Sequence, residues 1–200
     1  MNRVRGACAA ALLSFLPCAR PQVIEFESNG LRYQTLTRSG VTVMFAAMLH
    51  NLHEFSIIQV AVSNGSPSPY TIRPEDFTYV RNDGVVLRAS PARNVILMLN
   101  QKGSANDVIR LVTNYESSIY GNGKMKSTNG YEQRRQAAMA MGSVKLKAAA
   151  AASALAMVQT KLAPGESTDG AVFFPTEGKG LGPGHLVIRT TTDTFDFKSE

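Results

Sequence analysis

The chain has 200 residues and a formal charge of +6, with 44% hydrophobic and 18% charged residues. This balance excludes a polytopic membrane protein, a collagen-like repeat and a wholly disordered chain. The length suits one ordinary domain, or one domain with an insertion. Folding hides roughly 70% of the surface of such a chain, enough for a core that needs no disulfide or metal.

Residues 1–20 read as a signal peptide. Arg3 and Arg5 precede a small and apolar run from Gly6 to Leu16 that stops at Pro17. A basic head with an apolar stretch of about 10 residues matches a secretory leader and is too short for a span of about 20. Cys8 and Cys18 are the two cysteines, and both lie in this leader. Cleavage near Ala19 would leave no thiol, so the exported domain would rely on packing alone. The expected location is periplasmic or at the cell surface. Lipid anchoring through Cys18 is the alternative, although Pro17 differs from the small residue usual before a lipidated cysteine.

Charge is unevenly distributed. Residues 91–162 carry ten Lys or Arg against three Asp or Glu, a balance of +7; the rest of the chain from residue 21 carries eight against twelve, a balance of −4. Two readings follow: a basic segment docked on an acidic body, or a basic face for an anionic partner.

Residues 21–90 read as β. Val41, Val43 and Phe45 alternate with Thr42 and Met44, and Ile58, Val60 and Val62 alternate with Gln59, Ala61 and Ser63, the period of two of half-buried strands. Asn64 to Pro69 is a turn before Tyr70–Ile72. Asn82-Asp-Gly84 predicts a hairpin between 77–80 and 85–87. Ser90-Pro91 is a helix start, with Ala92, Val95, Ile96 and Leu99 at helical spacing. A second helix is predicted from Ser104 to about Tyr120, and Gly121–Gly130 breaks it as a polar, basic, mobile tip. A third, long helix is predicted from about Tyr131 to Leu162. Its residues Ala137, Met141, Val144, Ala148, Ala151, Leu155, Val158 and Leu162 form a heptad seam for an αα-hairpin. Strands resume over 168–174, 185–191 and 194–197, with Glu177–Gly184 as a hairpin connection.

The expected fold class is therefore α+β: an immunoglobulin-like antiparallel β-sandwich with an inserted helical hairpin. The expected segments are signal peptide (1–20), first part of the sandwich (21–90), helical insertion (91–162) and second part of the sandwich (163–200). Several short motifs carry a family resemblance: Val60-Ala-Val-Ser-Asn64, Arg73-Pro-Glu-Asp-Phe77, Asn82-Asp-Gly84, Leu162-Ala-Pro-Gly-Glu-Ser167 and Gly170-Ala-Val-Phe-Phe174. On these the chain resembles the exported bacterial immunoglobulin-like domains called telokin-like, over less than half its length. The resemblance implies a domain that binds or holds other molecules, with neither active site nor cofactor. The 91–162 excursion departs from it.

The chemistry-bearing motifs are few. No G-x-S-x-G turn is present for a serine nucleophile, and Gly178–Gly184 matches neither G-x-x-x-x-G-K-[ST] nor a strand-to-helix G-x-G-x-x-G, while Pro183 also removes a needed donor. His50, His53 and Glu54 could form a metal site, for a carrier or a metal-dependent enzyme, but His-x-x-His here sits on no predicted helix and has no clear third ligand. The expected function is a non-catalytic exported binding or envelope-assembly module without metal or cofactor; the metal-binding reading is its alternative. Lys124, Lys126, Tyr131, Arg134 and Arg135 at the basic tip are the candidate partner-binding residues. Their expected partner is a protein or cell-envelope component, or an anionic surface. Export argues against nucleic acid, and no transmembrane span is expected in the mature chain.

Overall fold

The computed structural model describes residues 22–120 and 130–198. The expected leader, both cysteines and residues 121–129, including Lys124 and Lys126, lie outside them. The described chain is α+β with antiparallel sheets.

A five-stranded sheet holds β1 (Ile24–Ser28), β2 (Leu31–Arg38), β3 (Val41–Ala47), β4 (Phe55–Asn64) and β9 (Ser167–Pro175), in the order β1-β2-β3-β4-β9. Its first two connections contain only two residues each, Asn29-Gly30 and Ser39-Gly40. All four take positive φ, at 51°, 74°, 49° and 80°, the left-handed pair whose twist matches that of adjoining antiparallel strands. β4 and β9 pair from Phe55 opposite Pro175 to Ser63 opposite Ser167, so the chain before and after the helices shares one sheet.

Side-chain alternation divides this sheet between two cores. Ile58, Val60 and Val62 of β4 and Val172 and Phe174 of β9 face one side, with Val41, Val43 and Phe45. That side packs against two smaller sheets. One holds β6 (Phe77–Arg81), β7 (Val86–Arg88), β10 (Gly184–Arg189) and β11 (Thr194–Asp196) in the order β11-β10-β6-β7; the other pairs β5 (Tyr70–Ile72) with β8 (Thr160–Leu162). Phe77, Leu186, Ile188 and Phe195 from the first and Tyr70, Ile72 and Leu162 from the second are among their contributions to this core. Phe55, Ile57, Ala171 and Phe173 face the opposite side and pack against the helices.

The helices are α1 (Ala92–Lys102), α2 (Ala105–Tyr120), α3 (Tyr131–Met139) and α4 (Val144–Leu155). α1, α2 and α3 all contact α4, which forms the centre of the layer. Ala148, Ala149, Ala151, Ala152 and Ala154 are buried around most of α4, because small side chains let three neighbours approach closely. Among the described residues no helix is long and apolar enough to cross a membrane.

The long third helix expected over 131–162 is two helices and a strand. It breaks at Ala140–Ser143, where Gly142 is a poor helix former and Ser143, in extended backbone, stands at the N-cap position of α4. It ends at Leu155 because the sheet captures the chain: Met157 donates its N–H to the Ala171 carbonyl at 2.9 Å, and Thr160–Leu162 pairs with β5. The heptad positions divide accordingly. Ala148, Ala151, Leu155 and Leu162 are buried, whereas Ala137, Met141, Val144 and Val158 are exposed. The expected hairpin connection over 177–184 joins different sheets, since β9 pairs with β4 while β10 pairs with β6 and β11. The predicted hairpin at Asn82-Asp-Gly84 is present, with Gly84 at φ 87° and Val80 opposite Val86.

Gly170 is the point of closest approach between the post-helix chain and the sheet. A Cβ there would stand 2.5 Å from the Met157 Cα, and backbone cannot give way cheaply. Gly170→Ala is expected to cost about 1–3 kcal/mol, read as a lower midpoint in chemical denaturation with an unchanged slope.

Candidate functional site

The helical layer carries most of the sequence-level candidates, and the structure uses three of them internally. Tyr131 is 2% exposed; its hydroxyl donates to Glu116 Oε1 at 3.2 Å, and its ring lies 5.2 Å from that of Tyr115. Arg134 donates from Nε and Nη2 to the Ala154 carbonyl, at 3.1 and 2.9 Å, and so satisfies a group near the end of α4. Arg135 bridges Glu116 of α2 at 2.8 Å and Glu132 of α3 at 2.9 Å. Hydrogen bonds from Arg135 and Gln136 hold the Glu132 carboxyl below its usual range, and the bond to Glu132 raises the Arg135 guanidinium. These side chains fasten α3 to α2 and α4.

Asp107 occupies the other end of α2. Ser104 and Asp107 form a reciprocal cap: the Ser104 N–H and hydroxyl both donate to Asp107 Oδ2 at 2.8 Å, and the Asp107 N–H returns to Ser104 Oγ at 3.3 Å. The spacing Ser-x-x-Asp carries this cap in the sequence. His53 joins it from the sheet side. The tight turn between Leu52 and Phe55 puts His53 at φ 52° and its Nε2 3.1 Å from Asp107 Oδ2. Burial opposes ionisation of Asp107, but the bonds from Ser104 and His53 outweigh it and hold the carboxyl below its usual range.

His53 is thus committed to Asp107. His50 stands instead in the wall of a cavity of about 190 Å³ with Asn29, Leu31, Met48, Asn114 and Ser117. Glu54 accepts the Thr176 N–H on its backbone carbonyl. His50, His53 and Glu54 do not converge as a ligand set, and among the described residues no three His, Cys, Asp or Glu side chains form one. Ser104 Oγ donates to a carboxylate rather than to an imidazole, so the Ser-His-Asp neighbourhood lacks the bond that activates a nucleophile. Buried Tyr115 donates to Asp169 Oδ2 at 2.5 Å, tying α2 to β9.

These contacts determine which charges of the layer face outward. Its three acids, Asp107, Glu116 and Glu132, are all engaged by His53 or Arg135. Arg93, Lys102, Arg110, Lys145 and Lys147 make no ion pair among the described residues. Exposed aliphatic side chains lie in the same helices and the turn before α4: Leu97 and Ile109 at 59%, Met141 at 41%, Val144 at 47% and Leu146 at 52%. The sequence signal for the last two is the alternation Val144-Lys-Leu-Lys147, hidden within the apparent heptad seam. Compared with protein-family models, curated proteins and solved structures, the chain matches none.

Because the folded Asp107 carboxyl is depressed, its contribution to stability is present above the unfolded carboxylate range and is lost as pH falls through the folded value. Asp107→Asn is expected to lower stability at neutral pH by about 1 kcal/mol, the worth of a helix cap, and to flatten the acid limb of a stability–pH curve. An acid limb unchanged in the variant would show that the cap is not the titrating element.

Proposed function

We propose that this chain is a non-catalytic exported module for binding or envelope assembly. In this reading its body is an immunoglobulin-like sandwich, similar to the telokin-like domains, and its helical layer makes the contact. The partner is a protein or another component of the cell envelope.

The observation that carries this reading is the separation of charge within the helical layer. Its acids are bound internally to His53 and Arg135, while Arg93, Lys102, Arg110, Lys145 and Lys147 make no ion pair among the described residues. A basic segment serving only to dock on the acidic body would turn those cations inward. Arg134 and Arg135 act in the fastening of the helices, so the contact is assigned to the outer cations instead.

The test is retention of the full chain on a native envelope fraction. Retention is expected to fall about tenfold or more when Arg93, Arg110 and Lys145 are changed together to Glu. Equal retention of parent and variant would overturn the reading.

A further inference from the structure

Resting on that reading, we infer that the component met by the helical layer is the headgroup surface of an anionic lipid bilayer. The contact is made by the start of α4, the turn before it and the corner between α1 and α2. Six residues carry the inference: Lys102, Met141, Val144, Lys145, Leu146 and Lys147.

Their placement follows from packing. Gly103, immediately after Lys102, abuts the second turn of α4: a Cβ on Gly103 would lie 3.0 Å from the Ala148 Cβ. This brings the α1–α2 corner to the beginning of α4, where Val144, Lys145, Leu146 and Lys147 form the first turn and Met141 precedes it. The burial pattern changes abruptly along α4. From Ala148 onward most side chains of the helix are buried, with Ser153 exposed and Ala150 half-buried, whereas Val144, Lys145 and Leu146 are all exposed. Aliphatic side chains at this end therefore have no intramolecular core to fill. The acid on the α1–α2 corner, Asp107, is buried and hydrogen-bonded to Ser104 and His53, so the three lysines outnumber its single negative charge and leave a positive balance at this end.

The chemistry of the patch selects its occupant. Val144 and Leu146 point to different sides of the first turn of α4 with the lysines between them, so it is the end of this helix that can enter the boundary between headgroups and acyl chains, while the flexible lysine stems keep their ammonium groups at phosphate level. A nucleic acid surface would call for aromatic platforms and bidentate guanidinium groups, and an ordinary protein hot spot for Trp, Tyr or Arg. None of these is among the six. Lysine is a point charge on a mobile stem, suited to a fluid array of phosphates whose positions are not fixed.

The test is flotation of the full chain with vesicles of phosphatidylcholine alone or mixed with phosphatidylglycerol. The parent is expected to bind the anionic vesicles more tightly, with affinity falling as salt rises. The triple variant Lys102→Gln, Lys145→Gln, Lys147→Gln is expected to bind them about a hundredfold more weakly. Leu146→Ser is expected to weaken binding about tenfold at a salt concentration where the parent still floats. All four positions are exposed or half-buried, so the variants should keep the parent's circular dichroism. A triple variant that floats like the parent overturns the inference. Capture by an acidic polypeptide in place of vesicles, abolished in the triple variant, also overturns it but leaves the proposed function standing, whereas capture by duplex DNA in their place overturns both. A parent that binds neither vesicles nor the envelope fraction overturns both.

Discussion

The antiparallel pairing of β4 with β9 is the constraint from which the other layers follow, because both strands are buried on both faces. Their even-numbered side chains, from Ile58 to Val62 and from Val172 to Phe174, close the core against the smaller sheets. Phe55, Ile57, Ala171 and Phe173 turn the other way and supply the floor on which the helices sit. A slip of one residue would exchange these two sets and leave each core facing the wrong side chains. The pairing also fixes where the helical segment must end, since the Ala171 carbonyl takes the Met157 N–H and Gly170 gives the chain room to pass.

The helical layer is organised by a different economy. α4 is packed on alanine, which contributes little apolar area per residue but permits three helices to close on it. Polar fastenings at the edges supplement that thin interior: the Ser104–Asp107 cap with His53, the Arg135 bridge to Glu116 and Glu132, and Arg134 on the Ala154 carbonyl. Each acid in the layer is consumed by these bonds. The cations that remain are therefore left outward, so internal fastening and outer charge are consequences of one arrangement.

The candidate site was only partly legible. Excess positive charge over residues 91–162 is evident from counting, and among the described residues the layer carries exposed cations that make no ion pair. Which cations these are could not be read, because spacing does not reveal that Arg135 reaches Glu116 across two helices or that Arg134 finds a helix-end carbonyl. Tyr131, placed beside basic residues in sequence, is buried against Tyr115. His53 and Asp107 are 54 residues apart and meet only because a two-residue turn aims the imidazole at the first turn of α2.

By itself the sequence determined the local elements whose signals are local: the alternating strands around Val43 and Val60, the Asn82-Asp-Gly84 hairpin, the helix starts near Pro91 and Ser104, and hence an α+β chain. Tertiary structure alone decided the fate of residues 140–162, where a continuous heptad pattern lost to hydrogen bonds offered by the edge of β9 and by β5. It also decided that one sheet would be covered on both sides. Periodicity reports which side chains of a strand share a face, but it says nothing about what will cover that face. The answer came from segments elsewhere in the chain, whose backbone donors and acceptors had to be satisfied at the same time as their apolar side chains were buried.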